Sequence, residues 1–171
     1  MTAVFDYAAA AVEGALAAGA EYADARVVVS RSQSIEALNE VIEALDQGES
    51  AGVGVRALIG SSWGFFATNE LSDAAARRAG EQAAAIARAS ATVPGAAMPL
   101  ADVPVREDSY ETPHAEDPFG VSLTEKGDLL VDVTRTMRSV DGIALARAFL
   151  TAWDTRKWFV SSQGHRLGQH L

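Results

Sequence analysis

Apolar residues in this chain change period in a set order: helical, alternating, helical twice over, then alternating again. Few folds accommodate that order. Phe5, Ala8, Ala9, Val12 and Leu16 recur at helical spacing, and Gly19 stands where a left-handed residue ends a helix. From Asp24 the period becomes two. Arg26-Val27-Val28-Val29 is β-branched, and the strand it starts has a polar far end running to Ile35. Val41 to Leu45, then Val53, Val55, Ala57 and Ile59, continue the pattern, with Gly48 and Gly60-Ser61-Ser62 as punctuation between runs. Trp63 to Thr68 completes an antiparallel meander. Gly52, Gly54 and Gly64 lack side chains on this sheet, which fits a bulge or a close backbone approach, with a tightly packed helix the favoured reason.

Ser72 and Asp73 suit the start of a second helix whose apolar face is Ala76, Ala79, Ala83, Ile86 and Ala87. Pro94, Gly95, Pro99 and Pro104 mark an irregular, acidic segment that runs to Asp117 with room for one short edge strand. Ser122 and Glu125 have capping-box spacing, so Val121 to Val140 should hold a third helix with Leu123, Leu130 and Met137 inward, weakened at Gly127. After Asp141-Gly142, Ile143, Leu145, Arg147, Phe149, Thr151 and Trp153 alternate against alanines. Lys157 to Ser161 reads as the hairpin partner of that strand, and Gln163-Gly164 as a turn into a last strand. Strands grouped with strands indicate an α+β two-layer sandwich of mainly antiparallel meanders with about three helices, in one domain over 1–171. The expected core sets Val27, Val29, Val53, Val55, Leu145 and Phe149 against Val12, Ala83, Ile86 and Leu130.

Composition removes several functions. A formal charge of -9 repels a phosphate backbone, and no basic stripe interleaved with aromatics offsets it, so nucleic acid is not an expected ligand. Zero cysteines exclude disulfides, thiolate nucleophiles and the common structural zinc sites, and fit a reducing cytoplasm. The alanine-rich opening lacks the basic start of an export signal and carries Asp6 and Glu13, and no apolar run approaches the ~20 residues of a membrane span.

Of the three histidines, His165 and His170 are five apart in a segment that reads as β, which points them to opposite faces. His114, near Glu116 and Asp117, reads as a surface residue of a solvated loop. No histidine is followed by glutamate, so H-E-x-x-H is absent, as is a G-x-S-x-G elbow. Gly52-Val53-Gly54 leads into a strand without the helix that would hold a phosphate. No catalytic, metal or cofactor-binding residue is therefore expected. The candidate contact residues are Arg56, Trp63, Phe65 and Phe66. One fixed cation and an aromatic surface beside glycines suit an extended peptide or a subunit interface.

Five segments taken together resemble one family: Glu21-Tyr-Ala-Asp-Ala-Arg-Val-Val-Val-Ser-Arg-Ser-Gln-Ser-Ile35, Gly52-Val-Gly-Val-Arg56, Trp63-Gly-Phe-Phe-Ala-Thr-Asn69, Asp117-Pro-Phe-Gly-Val-Ser-Leu-Thr-Glu-Lys126 and Lys157-Trp-Phe-Val-Ser-Ser-Gln-Gly164. The family is the TldD/PmbA proteins, labelled modulators of DNA gyrase and understood as zinc metallopeptidases, and the last two segments fit its TldD-like branch. The resemblance is to the family's N-terminal domain, an α+β sandwich. It implies that zinc and the H-E-x-x-x-H helix belong to a C-terminal half for which this sequence has no positions. It further implies a TldD/PmbA-type subunit as partner in a homo- or heterodimer, and an extended peptide as substrate of the parent enzyme. Asn39-Glu40 departs from the family's Asn-Gly turn, and a looser hairpin is expected there. A free-standing interaction module or a truncated paralogue without peptidase activity is the alternative.

Overall fold

The computed structural model describes residues 2–92, 96 and 99–171; Pro94 and Gly95, expected to open the irregular segment, lie outside them. The elements are α1 (Thr2–Ala17), β1 (Tyr22–Leu38), β2 (Val41–Ile59), β3 (Ser62–Thr68), α2 (Asp73–Ser90), β4 (Glu107–Glu111), α3 (Leu123–Arg138), β5 (Arg147–Ser161) and β6 (Arg166–His170). The strands are ordered β3-β2-β1-β5-β6-β4. β3 on β2 and β6 on β5 are antiparallel, while β4 lies parallel to β6 at the sheet edge. This is the expected α+β sandwich, including the short edge strand inside the acidic segment.

The strands are longer than the glycine punctuation implies. β2 runs through Gly48, and β5 runs on through Lys157 instead of turning into a hairpin there. Glycine without a positive φ need not end a strand, and among the described glycines only Gly19, Gly60, Gly142 and Gly164 have one. The chain divides into two compact units. The first holds Met1–Val29, Ser50–Glu111 and Thr155–His170; the second holds Ser30–Glu49, Thr112–Asp154 and Leu171.

In the first unit α1 and α2 cover one face of the strands. Their buried residues are nearly all small: Ala8, Ala11, Val12 and Ala15 from α1 and Ala76, Ala79, Ala83 and Ala84 from α2, against Ala23, Ala25, Val27, Val53, Val55 and Ala57. Small side chains let backbones touch. A Cβ on Gly80 would overlap the Ala11 carbonyl, one on Gly14 the Arg77 carbonyl, and one on Gly64 of β3 the Ala83 carbonyl of α2. The tight-helix reason therefore holds at Gly64. Gly52 faces the Thr68 backbone, and Gly54 lies under the Phe65 ring. Ser72 caps α2 by accepting from the Ala75 N–H at 3.2 Å. Ile86, expected inward, is exposed, as is Leu16, while the alanine stripes of α1 and α2 take the close contacts.

In the second unit α3 packs Leu130 and Leu123 on Ile35, Ala37, Ala148 and Leu150. Ser122 caps it by accepting from the Glu125 N–H at 3.1 Å. Asp117 accepts from the Phe119 N–H at 2.9 Å and pairs with Arg31, whose guanidinium lies 4.1 Å over the Phe119 ring. That amide and then Arg31 hold the Asp117 carboxyl below the usual carboxylate range. The buried Lys126 donates to Gln33 Oε1. The Asn39-Glu40 turn is tight and not loose. Both residues have positive φ, 47° and 70°, as a two-residue hairpin with this twist requires. Asn39 Oδ1 accepts from the Ala146 N–H at 2.9 Å, the Glu40 N–H donates to Thr134 at 3.0 Å, and the Glu40 carboxylate bridges Arg135 and Arg138. Partners from α3 and the approach to β5 hold a conformation that glycine would adopt freely.

The alternation before and along β5 is inverted relative to expectation. Ala146, Ala148 and Ala152 are buried, while Leu145, Phe149 and Trp153 are 66%, 62% and 64% exposed. Leu145 also precedes the strand, and Met137 of α3 is exposed. Leu145, Phe149 and Ile86 thus leave the core list, and Val12, Val27, Val53, Val55, Ala83 and Leu130 stay in it.

Three substitutions separate these contacts in a denaturant titration. Gly80→Ala should cost ~1–3 kcal/mol by overpacking. Gly127→Ala meets only Ile42 at 3.7 Å and should gain up to ~1 kcal/mol of helix propensity. Phe149→Ala should cost ~0.5 kcal/mol or less as a surface change. A loss of several kcal/mol at Phe149, or a neutral Gly80→Ala, would contradict this packing.

Candidate functional site

The period of two in β1 places Tyr22, Asp24 and Arg26 on the face away from the helices, since Ala23, Ala25 and Val27 fill the core. Asp24 is fully buried, at 0% exposure. A buried carboxylate must be paired and hydrogen-bonded, and four donors converge on it. Arg56 of β2 donates Nε at 3.1 Å to both oxygens and an Nη2 proton at 2.6 Å to Oδ2. Arg26 donates Nη1 to Oδ1 at 3.1 Å, and the Tyr22 hydroxyl donates to Oδ2 at 3.1 Å. Both guanidinium groups remain half exposed, so this cluster presents two cations fixed from beneath by one anion.

Aromatic rings complete the face. The Arg56 guanidinium lies 5.2 Å from the Trp63 ring centre, and Trp63 meets Tyr22 edge-on with centroids 5.8 Å apart. Arg26 stands 4.8 Å over Phe159 of β5. Phe65 pairs with Arg56 across β2 and β3, and its ring passes over Gly54, where a Cβ would sit 3.3 Å away. Arg26, Arg56, Val28, Gly52, Gly54, Phe65 and Thr68 line an open groove of about 420 Å³. Burial, followed by the Asp24 charge and hydrogen bond, pushes the Tyr22 phenol up to about 12. The hydrogen bond to Asp24 likewise raises Arg56.

Three of the four candidate contact residues, Arg56, Trp63 and Phe65, therefore share this face. Phe66 does not. It follows Gly64 by two along β3 and pairs with Val55 of the core, so it points to the helix side. Asp24, Tyr22, Arg26 and Phe159 join this face in addition to the residues that the sequence points to. The spacing Tyr22-x-Asp24-x-Arg26 was the available signal, because it puts a hydroxyl, a carboxylate and a guanidinium on one strand face. The histidines do not converge. His165 Nδ1 accepts from the Arg106 N–H at 3.2 Å, His170 pairs with Glu111 at 3.0 Å, and His114 Nδ1 lies 3.2 Å from the Thr112 carbonyl. Among the described residues no group of three or more His, Asp or Glu side chains is placed to hold a metal ion.

Residues 23–87, which include Asp24, Arg26, Arg56, Trp63 and Phe65, match a family model described as PmbA/TldA metallopeptidase domain 1. Over that segment the chain is similar to a first domain of the TldD/PmbA family. Over 147 residues it is 26% identical to a metalloprotease of Methanocaldococcus jannaschii, covering 86% of this chain and 32% of that protein. Over 144 residues it is 28% identical to a metalloprotease of Methanothermobacter thermautotrophicus, covering 84% and 30%. The chain thus spans about a third of the length of these relatives. TldE of Thermococcus kodakarensis shares the fold with a TM-score of 0.70 at 16% identity, covering 93% of this chain and 35% of TldE. A Thermotoga maritima protein described as a candidate modulator of a DNA gyrase aligns with a TM-score of 0.72 at 14% identity, covering 96% and 36%. Within the TldD/PmbA match lie both arginines and the carboxylate that holds them; Tyr22 and Phe159 lie outside it.

The buried phenol offers a direct check. A folded-state pKa above the ordinary value of 10 means that the stability tied to Tyr22 is intact below pH 10 and is lost as pH rises towards about 12. In an alkaline ultraviolet titration, one of the three tyrosines should ionise with a midpoint of about pH 12, and Tyr22→Phe should remove that phase. Three coincident ionisations near pH 10 in the folded chain would contradict the buried Tyr22–Asp24 bond.

Proposed function

We propose that this chain is a non-catalytic domain of a TldD/PmbA-like metallopeptidase, in which its open sheet face walls the cavity that holds an extended peptide. The observation that carries this reading is the first unit's face, where Asp24 locks Arg56 and Arg26 among Trp63, Phe65 and Phe159. Such a face offers charge and aromatic surface without a reacting group. An extended peptide needs both for orientation, and locked guanidinium groups lose little side-chain freedom on binding it. Zinc and the general base are supplied by residues other than these 171. The histidines here are committed to separate partners, and the domain family is named for a metallopeptidase.

The same reading covers assembly. Leu145, Phe149 and Trp153 of the second unit are large, apolar and exposed, which suits contact with a second TldD/PmbA-type subunit, identical or related, in the cytoplasm. The described residues contain no helix long and apolar enough to cross a membrane. Direct gyrase or DNA binding conflicts with the formal charge of -9.

Purified chain supplied with Zn²⁺ should leave extended peptides uncut and retain no stoichiometric metal after desalting. Turnover that a chelator abolishes would place the catalytic site within this chain and end the reading. In the assembled enzyme, Phe65→Ala should lower peptide turnover more than it lowers the melting temperature.

A further inference from the structure

Beside the Asp24 cluster, on the other side of Arg26, the first unit has a second open groove of about 510 Å³. Three cations line it from three separate stretches of chain: Arg26 of β1, Arg106 just before β4 and Lys157 of β5. Phe159, Tyr110 and Leu167 supply apolar surface between them. Asp108 is the one carboxylate in the lining. Among the described residues neither the Arg106 guanidinium nor the Lys157 ammonium has an ion-pair partner, and Arg26 shares its buried carboxylate with Arg56. A cationic groove in a chain of formal charge -9 is a local reversal of sign.

We propose that this groove binds a short acidic peptide segment in extended conformation, with Asp or Glu side chains on Arg106, Lys157 and Arg26 and intervening apolar side chains on Phe159 and Tyr110. The proposal rests on the reading of the sheet face as a peptide wall and names the sequence class that the wall prefers. Cations spread over three stretches of chain match several carboxylates spaced along a strand better than one terminal carboxylate. Alternate residues of an extended segment point the same way, so acidic and apolar positions reach the groove in turn. Length favours a short peptide over nucleic acid. Screening acts over ~8 Å at physiological ionic strength, so a short segment feels mainly the groove, whereas a polyphosphate strand would run out over the acidic remainder of the surface.

The test is fluorescence anisotropy on the chain itself with a labelled peptide of alternating Glu and Val, its Gln-for-Glu counterpart and a single-stranded oligonucleotide. The Glu peptide should bind, with an affinity that falls as salt is raised, and the Gln peptide and the oligonucleotide should bind at least about tenfold more weakly. Lys157→Glu and Arg106→Glu, each checked for an unchanged melting temperature, should weaken the Glu peptide by at least about tenfold. Equal binding of the Glu and Gln peptides, preference for the oligonucleotide, indifference to both charge reversals, or no binding of any probe would overturn the proposal. Because binding and not cleavage is read, a peptidase activity found in this chain would end the non-catalytic reading and leave this result standing.

Discussion

The structure depends on backbone-to-backbone contact between helices and on the side chains that contact excludes. Where α1 crosses α2 at Gly14 and Gly80, and where α2 lies on β3 at Gly64, no room exists for a Cβ. The surrounding core is therefore alanine and valine, which bury little apolar area each and stabilise by dense packing more than by side-chain size. Phe65, Phe149 and Trp153 are displaced outward, while Trp158 stays in the first unit's core. In each unit, taken by itself, aromatic side chains stand on the strand face that its helices leave open: Trp63, Phe65 and Phe159 in the first, Phe149 and Trp153 in the second.

That division of small from large also explains the buried charge. With its helix face given to Ala23, Ala25 and Val27, β1 has only its other face for Asp24, and Arg56 and Tyr22 close over the carboxylate and remove it from water. Truncating one partner of such a group leaves an uncompensated charge, a far larger penalty than losing an exposed ion pair like Arg77–Glu13. The guanidinium groups are consequently held where the fold puts them, each over an aromatic ring. Among the described residues no group of three or more His, Asp or Glu side chains is placed to hold a metal ion.

Much of this was legible in the sequence. Helical spacing located α1, α2 and α3, and Ser72 and Ser122 cap as their positions imply. Alternation located the strands but not their inward face. At Leu145 and Phe149 the larger set was assigned to the core, whereas the alanine set is the one that α3 and its neighbours can approach. At Asn39-Glu40 the missing glycine suggests a loose turn, whereas contacts distant in sequence, from Thr134, Arg135, Arg138 and Ala146, hold the positive φ there. Arg56, Trp63 and Phe65 stand out in the sequence as one cation and aromatics beside glycines on strands, and the register puts these three on one face. Asp24 was passed over as the start of a strand, since a lone acidic residue among apolar ones does not disclose that two arginines will meet it.

β5 turns Ala148 and Ala152 inward and Phe149 and Trp153 outward, while Trp158 further along it enters the first unit's core. Hydroxyl-radical footprinting of the folded chain, read residue by residue by mass spectrometry, tests this arrangement most directly. At a dilution where the chain is monomeric, Trp153 and Phe149 should label strongly, while Trp158, 9% exposed in the first unit's core, stays protected. Protection of Phe149 and Trp153 in the monomer together with strong labelling of Trp158 would overturn this assignment of strand faces.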